Sequence, residues 1–159
     1  MATTSLGGET ETKTEYTIDN SLTHELTISE LQSQGIIDGS GNLTPSHDAA
    51  TANWGGTWRL PTKEEQQELI DNCTWTWTTQ NGVNGYKVTG PNGNHIFLPA
   101  AGCRYGSSLG LAGEYGYCWS STPHDSYSNL VWYLLFGSGE QDMYDINHYY
   151  GLSVRPVAE

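Results

Sequence analysis

A change of hydrophobic period at Cys73 constrains the fold of this chain more than any other feature. Just upstream, Trp58-Arg59-Leu60-Pro61-Thr62-Lys63-Glu64-Glu65 is a helix start. Thr62 stands at the N-cap, Glu65 three residues on completes a capping box, and the Glu64-Glu65 pair suits the positive helix end. Leu69 and Ile70, with Leu60 as staple partner, are the expected buried stripe of a helix running to about residue 72. Beyond Cys73 the pattern alternates. WTWTT (75–79), GYKVT (85–89) and HIFLP (95–99) read as strands, and Gly90-Pro91-Asn92-Gly93 turns between the last two. Further strand-like pieces follow after residue 100: YGYCWSS, LVWYLLF, MYDI and LSVRPV, separated by loops rich in Gly, Ser and Asn. Helices first and strands afterwards predict an α+β domain: short helices packed on a small, mostly antiparallel sheet with long loops.

The upstream half adds two shorter helices. Thr27-Ile28-Ser29-Glu30 reads as a capping box, and the helix should stop at Gly35, which tolerates the left-handed conformation. DGSGN (38–42) is a turn, and Pro45-Ser46 opens a helix through Ala49 and Ala50 that ends before Gly55-Gly56. The first ten residues are expected to be flexible. The 159 residues hold no internal repeat and no second domain boundary, so one domain, 1–159, is expected.

Charge and cysteines narrow the function. Six Lys and Arg against 18 Asp and Glu give a net charge of −12, which repels phosphate backbones and argues against nucleic acid as a partner. No apolar stretch approaches the roughly 20 residues of a membrane span, so membrane insertion is not expected. The opening MATTSLGGETETK has neither the basic nor the apolar region of a signal peptide. Either the protein is used without that export route or a leader is removed. Cys73, Cys103 and Cys118 form no CxxC and no metal-ligand spacing. Free, mostly buried thiols are the expectation, with a Cys103–Cys118 bridge as the alternative. No metal site and no cofactor is expected: the EF-hand spacing is absent around Asp142, Asp145 and Asn147, as are the EPN, QPD and WND tripeptides of calcium-dependent sugar-binding lectins.

Four ordered motifs, WRLPTKEEQQELI (58–70), FLPAAG with Arg104 (97–104), YGYCWSST (115–122) and GLSVRPV (151–157), resemble a bacterial family. It is the C-type lectin-like family of Bacteroidetes and Fibrobacter surface proteins, related to the formylglycine-generating-enzyme fold. The match covers about residues 49–157. GGETETKTEY (7–16) resembles an internal stretch of the same family, which has sequence ahead of it. The resemblance thus implies a shortened form, or one without the first strand of the fold. It implies a C-type lectin-like domain at a cell surface, outside the cell or on a phage virion. Some members are variable proteins of diversity-generating retroelements, in which adenines of AAY codons are mutated. Residues 104–152 are the expected variable region. Glu114, Trp119, Trp132, Glu140, Gln141 and Met143 cannot arise from AAY codons and would be scaffold. The ligand-binding face implied between them is Tyr105, Tyr115, Tyr117, His124, Asp125, Tyr127, Leu130, Tyr133, Leu135, Tyr144, Asp145, Ile146, Asn147, His148, Tyr149, Tyr150 and Leu152.

A separate physical argument favours the same region. Eight of the ten tyrosines lie after residue 100, mixed with Ser, Gly, Asn, His and Asp. That is the composition of antibody paratopes, where rigid amphipathic rings give contact area at low entropic cost. YDINHYY (144–150) is read as a binding loop rather than a bare connector. The six tryptophans are read as core, not as sugar platforms. His124-Asp125, near Ser120 and Ser121, has the residue types of a catalytic dyad, but no nucleophile-elbow signature surrounds it, and a polar surface pair is the plainer reading. Three function classes follow. The first is a non-enzymatic receptor-binding or adhesin module for a protein or cell-surface ligand, a receptor or a glycan. The second is an undiversified structural domain of a surface lipoprotein. The third is a formylglycine-generating-type enzyme, which the absence of any cysteine after Cys118 opposes.

Overall fold

The computed structural model describes residues 26–127 and 129–158. The first ten residues and GGETETKTEY lie outside the described residues. In chain order the elements are α1 (Ile28–Ser33), α2 (Ala49–Trp54), β1 (Trp58–Arg59), α3 (Lys63–Asn72), β2 (Thr74–Gln80), β3 (Val83–Thr89), β4 (His95–Pro99), β5 (Cys103–Tyr105), β6 (Ser108–Gly110), β7 (Tyr115–Pro123), β8 (Leu130–Gly137), β9 (Glu140–Asn147) and β10 (Val157–Ala158). The strands form small antiparallel sheets, β1-β10, β2-β3-β4, β5-β6 and β7-β8-β9, rather than one continuous sheet. Few short helices with several small antiparallel sheets make an α+β arrangement.

The helix starts follow local chemistry. Thr27 and Glu30 form a reciprocal capping box on α1, and Gly35, with φ +71°, receives the chain at its end. On α3 the Thr62 hydroxyl accepts the Glu65 amide at 3.2 Å, and the Glu65 carboxylate accepts the Thr62 amide at 2.8 Å. Arg59 grips the same carboxylate with two bonds of 2.7 Å, which holds the Glu65 carboxyl below its ordinary range against the opposing effect of burial. Two expectations need correction. Residues 45–47 are a turn, and α2 begins at Ala49 under an Asp48 cap. Asp48 is buried because both its oxygens are used: Oδ1 accepts from Ala50 and Thr51, and Oδ2 accepts from Leu60 N at 2.8 Å. The buried residue of α3 is Gln66, while Leu69 and Ile70 are half-buried. The Gln66 amide donates to the Cys118 and Trp119 carbonyls at 3.3 and 3.2 Å, which lowers the cost of burying it.

The β2–β3 hairpin turns on Asn81-Gly82, both with positive φ (51° and 80°), so the turn has the primed geometry that matches strand twist. SVRPV is not the strand expected. Ser153 makes a single parallel bridge to Cys118, and pairing resumes only at β10, since Pro156 has no N–H to donate.

Alternate residues of β7-β8-β9 point to opposite faces, and each face carries its own core. On one, Cys118, Leu134, Phe136 and Met143 pack with Tyr86, Val88 and Leu98. Gly116 is required there, because a Cβ would meet the Phe136 ring at 2.0 Å. On the other, Tyr117, Trp119 and Tyr133 pack with Ala50, Leu60 and Leu152.

Candidate ligand-binding face

The second face is graded in tyrosine. Cross-strand register sets Trp119 opposite Tyr133, Tyr133 opposite Tyr144, Tyr117 opposite Leu135, and Val131 opposite Ile146. The Tyr117 and Tyr133 rings stack at 5.7 Å, and Tyr133 meets Tyr144 at 6.4 Å. Beside them, Tyr105 of β5 meets Tyr150 at 5.3 Å and Tyr149 at 6.0 Å, while Tyr149 stacks on Tyr150 at 5.1 Å. The β5 segment reaches this group because Arg104 and Gly151 exchange backbone bonds of 2.8 and 2.9 Å. Exposure rises outward: Tyr133 7%, Tyr117 8%, Tyr144 45%, Tyr105 53%, with Tyr115, Tyr149 and Tyr150 between.

Burial governs the chemistry of this face. It pushes the Tyr133 phenol up to about 12, with Cys103, Asp145, Tyr144 and Tyr150 adding to the shift. Burial raises Tyr117 further still and raises Tyr150 as well. The Cys103 thiol is raised by burial, against a hydrogen bond from Tyr117, and burial pushes the Cys118 thiol up to about 12. All three cysteines are free, so Cys103 and Cys118 are not bridged; Cys118 is buried, and Cys73 and Cys103 are half-buried.

The expected face is therefore divided and partly covered. Tyr117, Tyr133 and Leu152 are core residues, not exposed ones: they support the outer rings from below. YDINHYY is not a loop, since residues 144–147 finish β9 and 148–150 turn. Leu135, Ile146 and Tyr150 are half-buried around the same core. Asp145 pairs with Trp132 and Asn147 with Leu130, which turns these residues to the opposite face from Tyr144. His124 belongs with that second group: it stacks on Trp132 at 5.6 Å and meets exposed Tyr127 at 5.3 Å. Lys63 lies over the Trp132 ring, 3.3 Å from its centroid. Asp125 is exposed beside them. His148 faces neither group. It lines an apolar cavity of about 210 Å³ with Leu31, Ile37, Leu60 and Trp119.

Other readings change too. Trp119 is core and Trp75, Trp77 and Trp132 pack half-buried against the first core, but Trp54 and Trp58 are 48% and 45% exposed. Leu109 and Leu111, more than two-fifths exposed beside Tyr105 in sequence, were not among the expected face residues. Their signal was an apolar pair (Leu-Gly-Leu) inside a Gly- and Ser-rich hairpin. His124 Nδ1 accepts from Ser126 N, and the Ser120 hydroxyl donates to the Trp132 carbonyl, so neither group is engaged in a nucleophile–base pair. Among the described residues no three His, Cys, Asp or Glu side chains gather as metal ligands, and no helix is long and apolar enough to cross a membrane.

The four motifs interlock beneath the tyrosine face. Ser121 N donates to Pro61 O at 2.8 Å, and Lys63 N donates to the Thr122 hydroxyl at 3.1 Å, tying WSST to WRLPT. Trp119 N donates to Ser153 O at 3.0 Å, and Ser153 N returns a bond to Tyr117 O, tying WSST to the terminal segment. Gly102 N donates to Tyr115 O at 2.8 Å, which adds the AAG segment. The chain matches no family model, no curated protein and no solved structure.

Proposed function

We propose that this chain is a non-enzymatic binding module of the C-type lectin-like class. It presents Tyr105, Tyr115, Tyr144, Tyr149 and Tyr150 to a protein or cell-surface receptor, with 104–152 as the region varied by a retroelement. The observation that carries the reading is the tyrosine gradient: exposed Tyr144 rests on buried Tyr133, and exposed Tyr105 on half-buried Tyr150, over a scaffold tied by backbone hydrogen bonds between the four motifs. Rings held in this way lose little entropy on binding. The mutual bonding of WRLPT, AAG, WSST and the terminal segment supports the C-type lectin-like assignment, because the resemblance rests on those same segments. Burial raises the thiols of Cys103 and Cys118, which disfavours nucleophilic chemistry at either of them. A surface or virion location fits a receptor-binding role.

The test is the DNA flanking the coding sequence. A neighbouring reverse transcriptase, with an imperfect repeat of codons for about 104–152 that differs at adenines, is the expected finding. An invariant 104–152 across isolates with no such repeat would favour the structural-domain reading.

A further inference from the structure

Strand β2 is an edge of the β2-β3-β4 sheet, and it is the least protected long edge among the described residues. Proteins blunt such edges with charge, proline, bulges or a covering segment. The other edges show these devices. β4 contains Pro99, and β9 carries Glu140, Asp142 and Asp145. The β7 edge is occupied by Ser153 and Gly102, and the β5 edge by Gly151. Thr74–Gln80, by contrast, has no charged residue and no proline, and its register with β3 runs without a shift from Thr74↔Thr89 to Gln80↔Val83. Among the described residues, only β3 hydrogen-bonds its backbone. Thr74, Thr76, Thr78, Thr79 and Gln80 are all exposed.

The sequence of this edge is a palindrome, Thr74-Trp75-Thr76-Trp77-Thr78, centred on Thr76. A two-fold interface needs a self-complementary patch, and a palindromic strand laid antiparallel on its own copy is one. Backbone geometry agrees with that register. The two-residue Asn81-Gly82 turn closes on a hydrogen-bonded Gln80–Val83 pair, so alternation commits the N–H and C=O groups of Thr78, Thr76 and Thr74 to β3. The groups of Trp75 and Trp77 then point away from β3, to the edge that no described residue covers. With Thr76 opposite Thr76 of a second copy, Trp75 faces Trp77 in both directions, and each of these pairs exchanges two bonds. Thr74 falls opposite Thr78, a favourable cross-strand pairing. The register that matches side chains is the register that matches hydrogen bonds.

We propose that two copies of this chain associate through β2, antiparallel about Thr76, to form a continuous sheet β4-β3-β2-β2-β3-β4. The inference is independent of the tyrosine-face reading. It gives the dimer two such faces, one on the β7-β8-β9 sheet of each copy.

Sedimentation of the full chain over a concentration series tests it, together with three variants. The wild type is expected to run as a dimer at the upper end. Thr76→Glu should halve the mass while the fold persists, because Lys87 is its cross-strand neighbour within the chain whereas the second copy opposes it with a like charge. Thr76→Cys should form a disulfide-linked dimer under mild oxidation, since a non-hydrogen-bonded pair has Cα atoms about 4.5 Å apart, within disulfide reach. Thr78→Cys should not, because it faces Thr74. A wild-type chain that stays monomeric throughout overturns the proposal. So does a dimer unaffected by Thr76→Glu, or a Thr76→Cys variant that cross-links no faster than Thr78→Cys and the wild type.

Discussion

The two faces of β7-β8-β9 are built from alternate residues of the same three strands, yet they differ in chemistry. The face toward β3 and β4 is closed at its centre: Phe136 and Leu134 are 0% and 1% exposed, and Gly116 leaves room for the Phe136 ring. The face toward Tyr105 is open at its outer side, where the buried rings of Tyr117 and Tyr133 lead to exposed Tyr144 and a second group, Tyr105, Tyr149 and Tyr150, lies beside them. The first face specifies one packing. The second holds side chains in place while leaving their outer edges free, a division of labour that suits the proposed binding role.

Substitutions should separate the faces by size of effect. Phe136→Ala should cost roughly 3–5 kcal/mol in denaturant unfolding, the usual loss for a buried aromatic; a loss under about 1 kcal/mol, the size of an ordinary single substitution, would show the closed face to be loosely packed. Alkaline unfolding should report the floor of the open face. Tyr133 ionises near pH 12 when folded against about 10 when unfolded, so its neutral form is favoured by the fold. Stability from this group is complete below about pH 10 and falls as pH rises toward 12; removing the phenol in Tyr133→Phe should shallow that fall. An unchanged slope would mean that the ring is solvated.

Smaller effects lie outside the cores. Thr62→Ala should cost about 1 kcal/mol, the usual value of an N-cap, and an unchanged midpoint would discount the capping box. Tyr105→Ser and Tyr144→Ser should each change stability by no more than about 0.5 kcal/mol, because both lie at the surface, 53% and 45% exposed. A large loss from either would move that ring from the face into the core.

Local signals in the sequence were legible and distant ones were not. The capping boxes at Thr27 and Thr62 involve residues three apart and were found where expected. Asp48 was missed as a cap because Pro45-Ser46 offers a competing start, and one of the bonds that settles it comes from Leu60, twelve residues away. Gln66 looks like a surface residue until the carbonyls of Cys118 and Trp119 reach it from β7. The same limit split the candidate face. Alternation sets Tyr117, Tyr133 and Tyr144 on one side of the sheet, but burial of the first two depends on Ala50, Leu60 and Leu152 arriving from elsewhere in the chain. Codon accessibility is blind to this distinction, so Leu152 and Asp145 entered the same expectation, although one is fully buried and the other lies on the opposite face from Tyr144.

The central claim is that the outer tyrosine positions are free to vary while the scaffold holds. A display library randomised at Tyr105, Tyr115, Tyr144 and Tyr149 among the residues reachable from AAY codons, with all other positions fixed, tests it directly. The account predicts that most members remain folded by protease resistance and that selection against unrelated proteins returns binders with different residues at these positions. A library in which most members unfold, or in which folded members yield no binder to any target, would contradict it.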